Sequence, residues 1–129
     1  MNNDGTNFEL VGDFMESMDQ EVRMIPSFPE EHIQNLRKDL IEEELDELNL
    51  AIDNQDLVEV ADALTDLLYV VYGAGHAFGI DLDECFEEVH RSNLSKLGED
   101  GRVIKREDGK VLKPDTYSPP NLRFVLAGP

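Results

Sequence analysis

The stretch IEEELDELNL, at residues 41–50, constrains the fold more than any other feature of the sequence. Five of its ten residues are acidic, yet it lies inside an apolar repeat with helical spacing. Since a helix turns about 100° per residue, Glu44 falls near the middle of the apolar arc and Glu47 lies on the same side. Glu43 lies at the border of the arc, whereas Glu42 and Asp46 point outward. This helix is therefore predicted to pack against a neighbour with carboxylates at the contact.

A second acidic stripe follows in the next predicted helix. Glu59, Asp62 and Asp66 lie within about 60° of arc, and Glu59 and Asp62 have the same i, i+3 spacing as Glu44 and Glu47. Residues three apart on a helix are close enough to share one ligand. The spacing therefore predicts two carboxylate pairs on two consecutive helices.

Divalent cations would explain why carboxylates occupy core positions. An unpaired buried carboxylate costs several kcal/mol, and clustered carboxylates repel one another. Arg37 is the only basic residue on the inner arc of these two helices. An all-oxygen site suits Mg²⁺ or Mn²⁺. We therefore predict metal ions between the two helices.

Helical periodicity extends over most of the chain. Four helices are predicted, over about residues 6–22, 28–52, 56–77 and 82–97. Glycines close the third and fourth helices, and the turn DNQD separates the second from the third. Three capping boxes open the first, second and fourth helices: Thr6 with Glu9, Ser27 with Glu30, and Asp81 with Glu84.

The C-terminal region has a different pattern. Asp108-Gly109 stands between two short β-prone runs and predicts a hairpin. The following PDTYSPPNLRFVLAGP contains four prolines and is expected to be extended or irregular. The sequence thus predicts one all-α domain over residues 1–129, with a helical core at about 6–97 and a small β-hairpin and extended tail at about 101–129.

The third predicted helix indicates that the bundle of about four helices is completed by oligomerisation. Its apolar residues cover most of its circumference, and such a helix normally lies in the middle of a larger structure. One chain supplies too few helices to surround it. A homodimer or homotetramer is therefore expected. The apolar residues are Leu57, Val60, Ala61, Leu64, Leu67, Leu68, Val71 and Ala74.

The charge distribution limits the partners. The formal net charge is −18. Residues 1–90 hold 24 acids and 3 bases, and residues 91–129 hold 5 acids and 8 bases. An acidic body repels nucleic acids and anionic membranes, so neither is expected as a partner. No apolar run is long enough to span a membrane, no signal peptide is recognisable, and the single Cys85 fits a reducing cytoplasm.

The two acidic motifs also resemble a known superfamily. EELDE at 43–47, followed by EVAD at 59–62, is similar to the EExxE and ExxD pair of the all-α nucleoside triphosphate pyrophosphohydrolases. That superfamily includes MazG-like enzymes, dimeric dUTPases and phosphoribosyl-ATP pyrophosphatase. The resemblance covers about residues 28–97 and includes DLLYVVYGAG and HRSNLSKLG. It implies an obligate dimer or tetramer with sites at or near subunit contacts.

The resemblance further implies a reaction and a set of site residues. Mg²⁺ ions would bind a triphosphate and activate water for cleavage between the α- and β-phosphates, giving a nucleoside monophosphate and pyrophosphate, as in house-cleaning of the nucleotide pool. Asn93 and Lys96 match family positions near the nucleotide. The implied metal ligands are Glu43, Glu44, Glu47, Glu59 and Asp62.

Further roles follow from charge and position. Glu44 and Glu47 are the candidates to accept the proton of the attacking water. Lys96, with Lys110 or Lys113, is predicted to contact phosphate oxygens. Tryptophans surround the base in some nucleotide-specific members, but this chain has none. Its base pocket would therefore use other residues, among them Tyr69, and Asp66 is a further candidate for substrate binding.

Three other interpretations stay open at this point. Phosphoribosyl-ATP, dUTP, dCTP or a damaged triphosphate could each be the substrate. A di-iron carboxylate bundle needs two ExxH motifs, and only Glu87 and His90 form one. A non-catalytic acidic interaction module would carry its acids on outward faces only, which the inward phase of Glu44 and Glu47 opposes.

Overall fold

The computed structural model describes residues 4–98 and 100–128, and within these ranges it is mostly helical. The all-α prediction is confirmed. In this part of the chain, every helix is too short or too polar to cross a membrane. The elements are α1 (Asn7–Ser17), α2 (Glu31–Asp53), α3 (Leu57–Phe78), α4 (Leu82–Leu94), β1 (Ile104–Lys105), β2 (Val111–Leu112) and α5 (Leu122–Ala127).

The chain divides into two compact units, one ending at Leu82 and the other beginning at Asp83. The first unit contains α1, α2 and α3. The second contains nearly all of α4, the hairpin and α5. The single domain over residues 1–129, with a helical core ending near residue 97, stays a prediction.

Helices α2 and α3 form an antiparallel hairpin around a tight turn at Asn54–Asp56. The turn is closed by backbone hydrogen bonds from Asn54 to Leu50 (3.0 Å) and from Asp56 to Ala51 (3.1 Å). The Asp56 carboxylate then accepts a hydrogen bond from the Glu59 N–H at 3.2 Å and caps α3. The predicted turn and cap are confirmed. Because this turn is short, it sets the register in which the side chains of the two helices face each other.

Helix α1 packs on α3 through an aromatic contact. The rings of Phe8 and His76 stack with centroids 3.8 Å apart, and His76 Nε2 donates a hydrogen bond of 2.7 Å to the Phe8 carbonyl. Gly12 makes this approach possible, since a Cβ there would lie 2.7 Å from His76 Cε1. Val11 and Met15 complete the buried face of α1.

The segment between α1 and α2 corrects two predictions. Helix α1 ends at Ser17 rather than near Val22. The Ser27 capping box is also wrong: Ser27 Oγ accepts a hydrogen bond from Arg23 and donates one to the Ile25 carbonyl. Glu30 is the N-cap of α2 and makes no side-chain cap hydrogen bond. The reason is tertiary, because the backbone N–H groups of Arg23 and Ser27 bond to carbonyls at the C-terminal end of α3, each at 2.9 Å.

Gly79 ends α3 and carries the first testable prediction. Its φ of +68° is left-handed, and a Cβ there would collide with the Ile25 carbonyl. We expect Gly79→Ala to lower the free energy of unfolding by more than about 2 kcal/mol, because it combines backbone strain with a backbone collision. Urea denaturation measures the loss. Gly109→Ala is the control, since Gly109 also has positive φ but open space around it. Equal losses in the two variants would contradict the collision.

The second unit contains the predicted hairpin. Ile104 pairs with Leu112 and Lys105 with Val111 in antiparallel register. The turn is held by the Asp108 carboxylate, which accepts a hydrogen bond from the Lys110 N–H at 3.0 Å. The Asp108-Gly109 hairpin signal is therefore confirmed.

The tail differs from its expected irregular course because it ends in a short helix. Asn121 Oδ1 caps α5 by accepting a hydrogen bond from the Phe124 N–H at 3.1 Å. Glu88 of α4 accepts hydrogen bonds from the Asn121 N–H at 2.6 Å and from Arg91 at 2.7 Å. These donors, the guanidinium first, lower the pKa of Glu88 to about 2. The tail is thus attached to α4 by polar contacts that no local sequence pattern encodes.

Candidate functional site

The α2–α3 hairpin brings three carboxylates together. One carboxylate oxygen from each of Glu44, Glu47 and Asp66 lies within 4.8 Å of the other two. Glu44 and Asp66 are half-buried and Glu47 is exposed. Glu44 and Glu47 are one turn apart on α2, and Asp66 faces them from α3. We call this set the carboxylate cluster.

The electrostatics of the cluster favour a bound cation. Burial raises the pKa of Glu44, and the neighbouring Glu47, Asp66 and Glu43 raise it further. Glu44 Oε2 is buried and has no hydrogen-bond partner, and in the described ranges no basic side chain lies within 4.0 Å of these carboxylates. A divalent cation would oppose this rise in the pKa of Glu44, because it stabilises the ionised carboxylate. Three converging carboxylates, one of which has an oxygen without a hydrogen-bond partner, are a ligand set that suits Mg²⁺ or Mn²⁺.

An acidic cleft adjoins the cluster at the turn end of the hairpin. It has a volume of about 510 Å³, and Glu47 belongs both to its lining and to the cluster. The cleft is therefore continuous with the cluster through one side chain. Its lining consists of Glu47, Leu50, Ala51, Asn54, Asp56, Glu59, Asp62 and Ala63.

The structure distributes the five carboxylates of the predicted metal set over three positions. Glu44 and Glu47 lie in the cluster, whereas Glu59 and Asp62 line the cleft. Glu43 is exposed and acts on Glu44 through its charge. Their roles as metal ligands stay predictions.

Two acidic residues have positions that sequence reasoning did not give them. Asp66 was expected to contact substrate, and the structure places its carboxylate in the cluster. Asp56 was expected only to cap α3, and it also lines the cleft. The position of Asp56 in the cleft is indicated by its i, i+3 spacing from Glu59 and, in turn, from Asp62. For Asp66, the signal was its shared stripe with Glu59 and Asp62.

Tyr69 lies away from the acidic cleft. Its ring packs edge-to-face on Phe14 with centroids 5.8 Å apart. It lines an apolar cleft of about 190 Å³ between α1 and α3, together with Asn7, Leu10, Val11, Thr65, Leu68 and Tyr72. Its predicted contact with substrate stays a prediction.

The other predicted substrate contacts belong to the second unit. Asn93 lies in the last turn of α4, and its carbonyl accepts a hydrogen bond from the Lys96 N–H at 3.1 Å. Lys110 follows the hairpin turn, and Lys113 Nζ lies 4.8 Å from the centroid of the Tyr117 ring. Their contacts with phosphate stay predictions.

Large apolar side chains remain exposed on both helices of the hairpin. On α3, Leu57 is 81% exposed and Val58 77%; on α2, Leu50 is 62% exposed. Exposed apolar surface of this kind is typical of an interaction surface.

Comparisons with known proteins agree with the helical hairpin and its acidic motifs. The family of phosphoribosyl-ATP pyrophosphohydrolases matches residues 11–93, which include α2, α3, the cluster and the cleft. An uncharacterized protein of Acanthamoeba polyphaga mimivirus is 37% identical over 100 residues, or 74% of this chain. The matched region spans only 38% of that relative's length.

Proposed function

Because the chain belongs to the phosphoribosyl-ATP pyrophosphohydrolase family, we propose that it is a Mg²⁺-dependent nucleoside triphosphate pyrophosphohydrolase. It cleaves between the α- and β-phosphates and releases a nucleoside monophosphate and pyrophosphate. The observation that carries this proposal is the carboxylate cluster, whose three side chains converge within 4.8 Å without a basic partner in the described ranges.

Glu44, Glu47 and Asp66 are the side chains that would hold the metal ion. Glu43, Glu59 and Asp62 are further ligands in this proposal, and the acidic cleft gives space for a second ion. Bound Mg²⁺ would neutralise phosphate oxygens and lower the pKa of water. Mn²⁺ has the same ligand preference and should replace it.

Glu47 is the best candidate for the general base. It is exposed, and its carboxylate is shared by the cluster and the cleft. A water in the cleft would therefore meet Glu47 and transfer its proton to it. Glu44 is the second candidate, but burial and its three acidic neighbours make its carboxylate better suited to holding a cation.

The family description favours phosphoribosyl-ATP as a second candidate substrate. A screen for pyrophosphate release over common and modified triphosphates, with phosphoribosyl-ATP included and Mg²⁺ present, separates these activities. Release from a nucleoside triphosphate supports the first candidate, and release from phosphoribosyl-ATP alone supports the second. No release from any substrate would favour a non-catalytic acidic interaction module.

The basic residues of the second unit are proposed to assist phosphate binding. Charge-assisted hydrogen bonds contribute about 1.5–3 kcal/mol, so Lys96→Ala, Lys110→Ala or Lys113→Ala should raise KM or lower kcat by roughly 10- to 100-fold. Steady-state kinetics at fixed Mg²⁺ measure this, with circular dichroism to check folding. Unchanged kinetics in all three variants would remove these lysines from the mechanism.

The exposed apolar side chains of α2 and α3 support an oligomer. We expect a homodimer or homotetramer at micromolar concentration, because association would bury Leu57, Val58 and Leu50. Sedimentation velocity measures the mass. A folded monomer over the whole concentration range would contradict this expectation. The single cysteine, Cys85, supports a cytoplasmic location for the assembly.

A further inference from the structure

Arg37 is a buried cation that the proposed mechanism does not use. Only 8% of its surface is exposed. Its guanidinium lies against Gly73 of α3, where a Cβ would stand 2.7 Å from one terminal nitrogen and 3.8 Å from Met15 Sδ. The side chain therefore lies where α1, α2 and α3 meet, and Gly73 gives it room.

The guanidinium is poorly satisfied. An arginine carries five N–H donors. Arg37 Nε has no hydrogen-bond partner, and a terminal nitrogen donates to Gln20 Oε1 at a long 3.4 Å. In the described ranges, no carboxylate lies within 4.0 Å of Arg37. Burial lowers the pKa of Arg37, but an arginine side chain stays charged in proteins.

An unpaired buried charge is costly, and this chain has many acidic residues that could pair with Arg37. Removing a guanidinium from water without a counter-ion costs several kcal/mol. Residues 1–90 contain 24 acids, yet none pairs with Arg37 in the described ranges. An anion from outside the unit would satisfy both the charge and the free Nε–H.

Arg37 stands in line with the carboxylate cluster. It precedes Glu44 by seven residues, which places both on one face of α2, about 10 Å apart along the helix axis. On α3, Asp66 and Gly73 are also seven residues apart. Arg37 and Gly73 therefore lie about two helical turns from Glu44 and Asp66, on the side away from the turn of the hairpin. The acidic cleft lies at the other side of the cluster, toward the turn. Gln20 is exposed and accepts the guanidinium hydrogen bond, so its displacement would free that donor.

We propose that Arg37 forms an anion subsite that binds phosphate oxygens of the nucleotide held at the carboxylate cluster. That the anion belongs to a nucleotide rests on the proposed function. The planar fork of a guanidinium matches two phosphate oxygens, and Gln20 stands in for them in the free protein. The phosphate chain would then lie along the α2–α3 groove, with metal ions on one side and Arg37 on the other.

The test uses the full chain and inorganic pyrophosphate as the probe, titrated by calorimetry with Mg²⁺ present. Arg37→Met removes the cation and keeps the aliphatic stem. Gln20→Glu places a carboxylate beside the guanidinium and should compete with the probe. Each variant is expected to weaken pyrophosphate binding by roughly 10- to 100-fold. The matched control is Lys38→Met, which removes the next basic residue along α2, 73% exposed, and should bind as the wild type does.

A spectroscopic readout separates binding from a structural role. The ¹⁵N–¹H resonance of Arg37 Nε should shift on addition of pyrophosphate in the wild type and should not shift in Gln20→Glu. If Arg37→Met does not fold, the exposed Gln20 position still carries the test. Wild-type affinity in Gln20→Glu, together with an Nε resonance that pyrophosphate does not shift in the wild type, would overturn the proposal. A wild-type Nε resonance that shifts with protein concentration alone would also overturn it, because that shift would indicate pairing with a second copy. Arg37-dependent binding without any hydrolysis would instead refute the proposed function and keep the subsite.

Discussion

Glu47→Gln is expected to lower the rate of triphosphate hydrolysis by roughly 10²- to 10⁴-fold, because a positioned general base contributes about that much. The substitution keeps the shape of the side chain and removes its charge. Glu47 is exposed and belongs to both the cluster and the cleft, so folding should be unaffected while metal binding is weakened and proton transfer to this carboxylate is lost. Initial rates under saturating Mg²⁺, with thermal unfolding as a check, measure the effect.

The control for this variant is Glu42→Gln. Glu42 lies on the outer face of the same helix, 4.0 Å from Lys38 Nζ, with its side chain 61% exposed. It should hydrolyse triphosphates at the wild-type rate, since an exposed helix ion pair contributes little. Comparable losses in the two variants would mean that the overall acidity of α2, rather than the position of Glu47, determines activity.

Removal of divalent metal is expected to abolish hydrolysis completely, and Mg²⁺ or Mn²⁺ should restore it. Without the cation, Glu44, Glu47 and Asp66 would repel a triphosphate and one another. Metal should also stabilise the fold independently of activity, by about 2.7 kcal/mol at a concentration 100-fold above its dissociation constant. Chelator titration of the rate and of the unfolding midpoint measures both effects. A metal-free protein with full activity would refute the proposed chemistry.

The elements that could be predicted from the sequence are those specified by neighbouring residues. Asp56 caps α3 through a residue three positions on, Gly79 ends it with a left-handed conformation, and Asp108 closes the hairpin turn. Each interaction joins residues within a few positions of one another. A local pattern therefore contains all the information that is needed.

The segment between α1 and α2 could not be predicted, because distant residues determine it. Ser27 followed by Glu30 has the pattern of a capping box, but the Ser27 N–H instead bonds to the Phe78 carbonyl, 51 positions away. The start of α5 has the same origin in part, since the Asn121 N–H bonds to Glu88. Tertiary hydrogen bonds replaced the predicted capping box at Ser27, whereas at Asn121 they support the start of α5.

The candidate site was partly predictable for a geometric reason. Helical phase alone places Glu44 and Glu47 on the inner face of α2, and the structure brings them together. Which α3 carboxylate meets them depends on the register set by the turn, so Asp66 joined the cluster while Glu59 and Asp62 lined the cleft. Register between two helices is a three-dimensional property that the spacing within either helix does not contain.

The binding of Mn²⁺, followed by electron paramagnetic resonance, tests the central claim most directly, because it measures metal binding without any substrate and the variants assign the binding to the carboxylate cluster. Wild-type protein should remove the free Mn²⁺ signal in a saturable manner, Glu42→Gln should do the same, and Glu44→Gln and Glu47→Gln should bind roughly 10- to 100-fold more weakly, since each removes a charged ligand. Equal Mn²⁺ binding by all four proteins would contradict a metal site built from Glu44, Glu47 and Asp66.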